Sequence, residues 1–301
     1  MQKLWQRGTI ALILVGILSG CNLTAPSPPS RLPQLGREKP RVQQPTATPG
    51  NREPISSATN NRNLLLGNPS NAASSVTSTD NYLMVKPQYV LSYNSKTKTA
   101  NWVSWQLNQS WMGAADRQDN FRPDDALPAT VYKVRPNDYT GSGYDRGHIA
   151  PSADRTRNEA DNSATFLMTN MMPQVPEVNR GVWGDLEDYC RELVQQGKEL
   201  YIVAGPVGRK GTIGRKEKIA VPAKNWKVIV VLDQQGLGMR GVDANTRTIA
   251  VMVPNDASVK GQGWKSFRVS VARVERETGL NFLSNVSPQI QQVIESKVDS
   301  Q

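Results

Sequence analysis

The only histidine of the chain, His148, lies in the stretch GSGYDRGHIAPSADRTRN (Gly141–Asn158), with Asp145 and Arg146 before it and Asp154, Arg155 and Arg157 after it. A neutral imidazole, with an ordinary pKa of about 6.5, is the side chain best matched to accept a proton at neutral pH, and an adjacent carboxylate can fix its tautomer. Arginines at this density draw in an anion, which a merely structural histidine does not need. The same residues also suit a structural histidine in a polar loop, and the stretch alone leaves both readings open.

What a base at this position can serve is narrowed by what is missing around it. No G-x-S-x-G turn marks a nucleophilic serine, and there is no second histidine for a metal triad. The two cysteines, Cys21 and Cys190, make neither a disulfide framework nor a thiolate zinc site, and Cys190 reads as a small buried hydrophobe. Water activated by His148 is therefore the simpler nucleophile.

Three further groups belong with it. VWGDLEDYCRELVQ (Val182–Gln195) has the apolar spacing of a half-buried helix, which puts Glu187 and Arg191, four apart, on one face. An ordinary exposed ion pair has the same spacing, and Asp185, Asp188 and Glu192 nearby keep composition from singling out one carboxylate. Asn179, between Pro176 and Gly181, suits a turn or helix cap. It also suits Mg²⁺, which prefers oxygen and is often held by few protein groups plus water and substrate phosphates. GRKGTIGRKEK (Gly208–Lys218) carries Arg209, Lys210, Arg215 and Lys216 among five basic residues and one acid. Such a segment is either a solvated loop or a grip on phosphates that reads no bases.

Taken together, DRGH (Asp145–His148) and TFLMTNMMPQVPEVNRGVWGDLEDY (Thr165–Tyr189) resemble the DNA/RNA non-specific endonucleases of the ββα-metal type. The likeness runs from GNPSNA onward and is nearest to the cyanobacterial sugar-nonspecific nucleases. It implies an α+β fold with a central, mainly antiparallel sheet and a metal-site helix. It implies that His148 is the general base, that Asn179 is the one direct protein ligand of Mg²⁺, with Mn²⁺ as a substitute, and that Glu187 holds metal-bound waters. By the same resemblance Arg117 and Arg191 position the phosphate, Asp145 supports the base, and Arg146 and Asn170 line the substrate site. The implied partners are DNA and RNA, single- and double-stranded, cut without sequence preference to leave 5′-phosphates. A protein inhibitor is an optional further partner. Rival readings are a nucleic-acid-binding protein without catalysis and a phosphoesterase for small substrates.

The elements that must hold these residues are mostly strands. Val90–Tyr93, Asn101–Leu107, TVYKV ending before Arg135, KELYIVAGP, NWKVIVVLD and TRTIAVMVP read as strands, and SPQIQQVIESKV near the C-terminus reads as a second helix. Strands that are not separated by regular helices predict α+β and exclude a doubly wound sheet. Trp102, Trp105, Trp111, Trp226 and Trp264 fit a core better than a stacking platform.

Charge and composition divide the chain. The net charge of +10 splits into +2 over residues 1–21, +4 over 22–79 and +4 over 80–301, where 28 basic residues meet 24 acidic ones. Binding of nucleic acid must then rest on local patches. Residues 1–20 read as a signal peptide whose end, LSGC, resembles a bacterial lipoprotein signal, which implies acylation of Cys21. Residues 21–79, rich in Pro, Ser, Thr and Asn, are expected to form a disordered tether, and residues 80–301 the nuclease domain. The expected location is a membrane-anchored lipoprotein facing the periplasm or exterior, the alternative being a soluble secreted or periplasmic protein.

Overall fold

The computed structural model describes residues 61–301. Along the chain run β1 (Tyr82–Val85), β2 (Val90–Asn94), β3 (Thr99–Leu107), β4 (Asp145–His148), α1 (Glu159–Ala164), β5 (Met171–Gln174), α2 (Trp183–Gln195) and β6 (Glu199–Val207). There follow β7 (Gly211–Ile213), β8 (Ile219–Val221), β9 (Lys224–Leu232), β10 (Arg247–Pro254), β11 (Arg268–Val269), α3 (Val271–Thr278) and α4 (Pro288–Ser296). Seven strands form one sheet in the order β1-β2-β3-β6-β9-β10-β11, antiparallel at every pairing. The α+β architecture expected from the strand-rich sequence is the one observed.

Strand alternation sorts the core into two layers. Trp226, Val228, Val230 and Leu232 of β9 face one side, with Trp102, Phe282 and the buried residues of α3 and α4. Ile229 and Val231 face the other, where α2 lies with Trp183, Leu186, Cys190, Leu193 and Val194 inward. Because both faces are covered, these strands read as near-continuous Val and Ile runs.

Several expectations are corrected. Residues 61–79 pack into the fold although their composition resembles a linker: Leu64, Leu66 and Ala72 are buried against the sheet, and the Trp102 indole donates to Ser70 Oγ at 2.8 Å. TVYKV forms no strand; Val131 and Val134 are buried without a ladder partner. DRGH, which one of the two readings of His148 put in a polar loop, is the strand β4. Trp111 is half-buried beneath Arg155 and Arg157, with guanidinium carbons 4.1 and 4.5 Å from its ring centroid, and does not join the core. The membrane-anchored placement is not upheld, because among the described residues no helix is long and apolar enough to cross a membrane. The leader and Cys21 lie outside the described residues.

Candidate active site

β4 and β5 form a separate two-stranded antiparallel ladder with His148 opposite Met171 and Asp145 opposite Gln174. Gly147 sits where the Gln174 side chain crosses β4, and a Cβ there would overlap it. The chain then makes a π-helical turn, Val178–Val182, and enters α2. Two strands followed by a helix thus carry His148, Asn179 and Glu187 in sequence.

His148 is 9% exposed. Its ring meets Phe166 edge-on at 4.8 Å and Phe121 at 5.5 Å, and its Nε2 is enclosed without a hydrogen-bond partner. Burial pushes its pKa down to about 3, and the charges of Arg117 and Arg146 act in the same direction, so the imidazole is neutral across the ordinary pH range. Arg117 stacks on Phe166 at 4.9 Å and donates to Ser152 Oγ at 2.8 Å; Arg146 stacks on Phe121 at 4.3 Å. Two cations therefore bracket the histidine through the aromatic rings that enclose it.

Asp145 does not support the histidine. Three positions apart on a strand, the two side chains leave opposite faces. Asp145 instead accepts from Asn179 Nδ2 at 2.9 Å and from Arg180 Nε and Nη2 at 2.9 and 2.8 Å. Burial works to raise its pKa, but the hydrogen bonds from Arg180 and Asn179 prevail and hold it below the usual carboxylate range. With Nδ2 committed to Asp145, Asn179 keeps Oδ1 free of protein donors among the described residues. Asn179 caps neither the π turn nor α2, whose N-caps are Glu177 and Val182.

Glu187 and Arg191 share a face of α2 without pairing. Glu187 Oε1 lies 3.4 Å from the ammonium of Lys227, whereas Arg191 bonds Asp154 at 3.0 Å and also pairs with Asp188. Burial raises the Glu187 carboxyl to about 7 against the opposing effect of Lys227. The other oxygen of Asp154 accepts the Trp105 indole N–H at 2.9 Å.

Two side chains expected to face an anionic substrate are reassigned. Asn170 is completely buried, and its amide bonds the Ala150 N–H, the Ala150 carbonyl and the Thr165 carbonyl at 2.8–2.9 Å, so it clamps the turn after His148. Arg155 is likewise buried on the carbonyls of Gln88, Asp154 and Gln106 and offers no charge to an anion. Arg209, Lys210, Arg215 and Lys216 are exposed on and beside the β7–β8 hairpin. Its apolar side, Ile213, Ile219 and Val221, packs in a cluster with Met171, the ladder partner of His148, and Phe121 packs against that cluster.

Lys227, Asp154, Arg180, Phe121 and Phe166 complete the site, and the motif assigned none of them a role. For Lys227 a signal existed: a lysine within the apolar run NWKVIVVL. Among the described residues no group of three or more His, Cys, Asp and Glu side chains gathers as a metal site. Asn179 Oδ1 and Glu187 Oε2 nevertheless fit a divalent cation held largely by water and phosphate oxygens, since each lacks a protein donor among the described residues.

This arrangement defines a ββα-metal nuclease. The profile of the DNA/RNA non-specific endonuclease family matches residues 66–289, and the chain belongs to that family and with it to the metal-dependent phosphodiester hydrolases. It is 62% identical over 239 residues to a nuclease of Nostoc sp. (strain PCC 7120), covering 79% of this chain and 86% of the relative. It is 32% identical over 217 residues to mitochondrial endonuclease G of Homo sapiens, covering 68% and 70%. Among solved structures it is similar to the EndoG/EndoGI complex, at a TM-score of 0.66 and 25% identity, with 81% of this chain and 100% of the other covered.

Proposed function

We propose that the chain hydrolyses DNA and RNA, single- or double-stranded, at phosphodiester bonds without sequence preference, using Mg²⁺ or Mn²⁺ and leaving 5′-phosphate ends. The observation that carries this reading is a buried, neutral His148 bracketed by Arg117 and Arg146 on the strand that precedes the Asn179 turn.

A backbone phosphate entering between these arginines offsets the two charges that help to hold the His148 pKa down. The imidazole becomes a stronger base when the substrate is in place. It takes one proton from the attacking water; the water oxygen bonds to phosphorus while the bond to the 3′ oxygen breaks, the departing 3′ oxygen takes up a proton from solvent water, and the phosphate stays on the 5′ side. Arg117 and Arg191 stabilise the charge gathering on the phosphate oxygens. Asn179 Oδ1 would hold the cation directly and Glu187 would hold its waters. A cation held there would supply Lewis-acid stabilisation of the charge that develops during the displacement. No part of this chemistry uses the 2′-hydroxyl, which supports action on both sugars.

The basic residues Arg209, Lys210, Arg215 and Lys216 supply a grip on phosphates beside the reacting group. The EndoG relative was solved with EndoGI in a study of EndoG inhibition, and an inhibitory protein is a proposed partner of this chain as well.

Supercoiled plasmid and RNA, incubated with Mg²⁺ or with excess chelator, test the reading. The parent should cut both only with the metal. His148→Ala should lose about 10²–10⁴-fold in rate, and Asn179→Ala should lose activity and Mn²⁺ binding together. Cleavage by His148→Ala at the parental rate refutes the base, and full activity in chelator refutes the metal.

A further inference from the structure

Strand β9, KNWKVIVVL, runs through the middle of the sheet, and Lys227 lies on its α2-facing side at 1% exposure. Its ammonium is 4.3 Å from the Trp183 ring centroid, 5.7 Å from that of Trp105 and 3.4 Å from Glu187 Oε1. An ammonium taken out of water is strongly destabilising unless it is paired, and an apolar side chain of similar volume would fill such a slot at lower cost. Stability alone therefore does not account for a lysine here. Among the described residues its carboxylate partner is Glu187, and its two indole faces come from β3 and the start of α2.

The layer is shared with a second group of the site. Trp105, beneath Lys227, donates its indole N–H to Asp154, and the other oxygen of Asp154 holds Arg191. The position of the ammonium, the indoles and both functional side chains of α2 is thus set by one packed unit.

We propose that Lys227 is a positioning residue for Glu187. It fixes Oε1 so that Oε2, which has no partner among the described residues, accepts hydrogen bonds from the waters around a divalent cation. The inference rests on the role given to Glu187 above. Lys227 touches neither substrate nor metal; it acts through the carboxylate it holds.

Full-length Lys227→Met, Glu187→Gln and the double variant separate this role from packing. Mn²⁺ binding is read by electron paramagnetic resonance without nucleic acid, the Mg²⁺ concentration for half-maximal plasmid cleavage is measured, and metal-free melting is recorded. Lys227→Met should raise the Mn²⁺ Kd and the half-maximal Mg²⁺ concentration roughly tenfold. It should add nothing further in the Glu187→Gln background. The single variant should melt below the parent because Glu187 is left without its partner, and the double should recover much of that loss. Should Lys227→Met fail to fold, Lys227→Gln takes its place under the same criteria. A folded variant with parental Mn²⁺ Kd and Mg²⁺ requirement overturns the inference, as does full additivity in the double. If Glu187→Gln itself leaves both metal readouts unchanged, the role of Glu187 fails first, and the two failures are distinguishable.

Discussion

The two faces of the central sheet are both buried, yet they hold their charges differently. On the α2 face two buried ions of the site meet the opposite sign: Lys227 meets Glu187, and Arg191 meets Asp154. On the α3 and α4 side two buried carboxylates, Glu199 and Glu295, have no cation among the described residues. Glu199 accepts from the Tyr201 hydroxyl at 3.1 Å, from the Gly236 N–H at 2.6 Å and from the Gln106 amide. Glu295 has an oxygen without a partner. Buried ion pairs contribute little net stability but fix orientation. A face that spends them beneath the site helix is organised to hold side chains in place, and the opposite face is organised chiefly to be dry.

The comparison breaks first at Asp145. If the α2 side is an orienting device, removing the carboxylate that holds Asn179 and Arg180 should cost activity without unfolding the chain. Asp145→Ala should lower plasmid cleavage about 10–100-fold and raise the Mg²⁺ requirement, with melting close to the parent. Parental activity would mean that Asn179 needs no such anchor.

A smaller effect is expected from the hairpin, which reaches the site only through its apolar side. Changing Arg209, Lys210, Arg215 and Lys216 to Gln should weaken binding of duplex DNA most at low salt. The slope of log K against log salt should become shallower by about 0.9 for each phosphate that is no longer neutralised, and the maximal rate should hold. Unchanged salt dependence would return the hairpin to the solvated loop that its composition equally allows.

How far these features are legible in the sequence depends on the range of the interaction behind them. β6, β9 and β10 follow from Val and Ile runs, and α2, read as Val182–Gln195, is observed as Trp183–Gln195. DRGH has little strand propensity; it is a strand because β5 lies beside it and Asn170 clamps the following turn. Residues 61–79 carry few apolar side chains, and Leu64, Leu66 and Ala72 suffice only because the sheet already presents a surface to cover. The motif points to His148, Asn179 and Glu187, and these lie on β4, on the turn after β5 and on α2. It misdirected Asp145, since the neighbour in sequence is on the other face of the strand and the partner in space is 34 positions away. Lys227 shows the converse: a charge inside an apolar run was visible, but its meaning required the helix that covers it.

The opposite face supplies the smallest and most selective test. Burial, with the nearby charge of Glu275, raises the Glu295 carboxyl from its ordinary 4.5 to about 7. Glu275 is itself raised by burial, and its carboxylate accepts the Phe282 N–H at 3.0 Å. Between these values the folded chain binds the proton more tightly than the unfolded one, so protonated Glu295 contributes stability that is full below about pH 4.5 and is lost as pH rises through about 7. Glu295→Gln, neutral at every pH, should melt near the parent at pH 4.5 and above it at pH 8, with cleavage per folded molecule unchanged. A melting difference that stays constant across this range would show that Glu295 ionises freely. The α3 and α4 side would then tolerate charge as well as the face that carries the site.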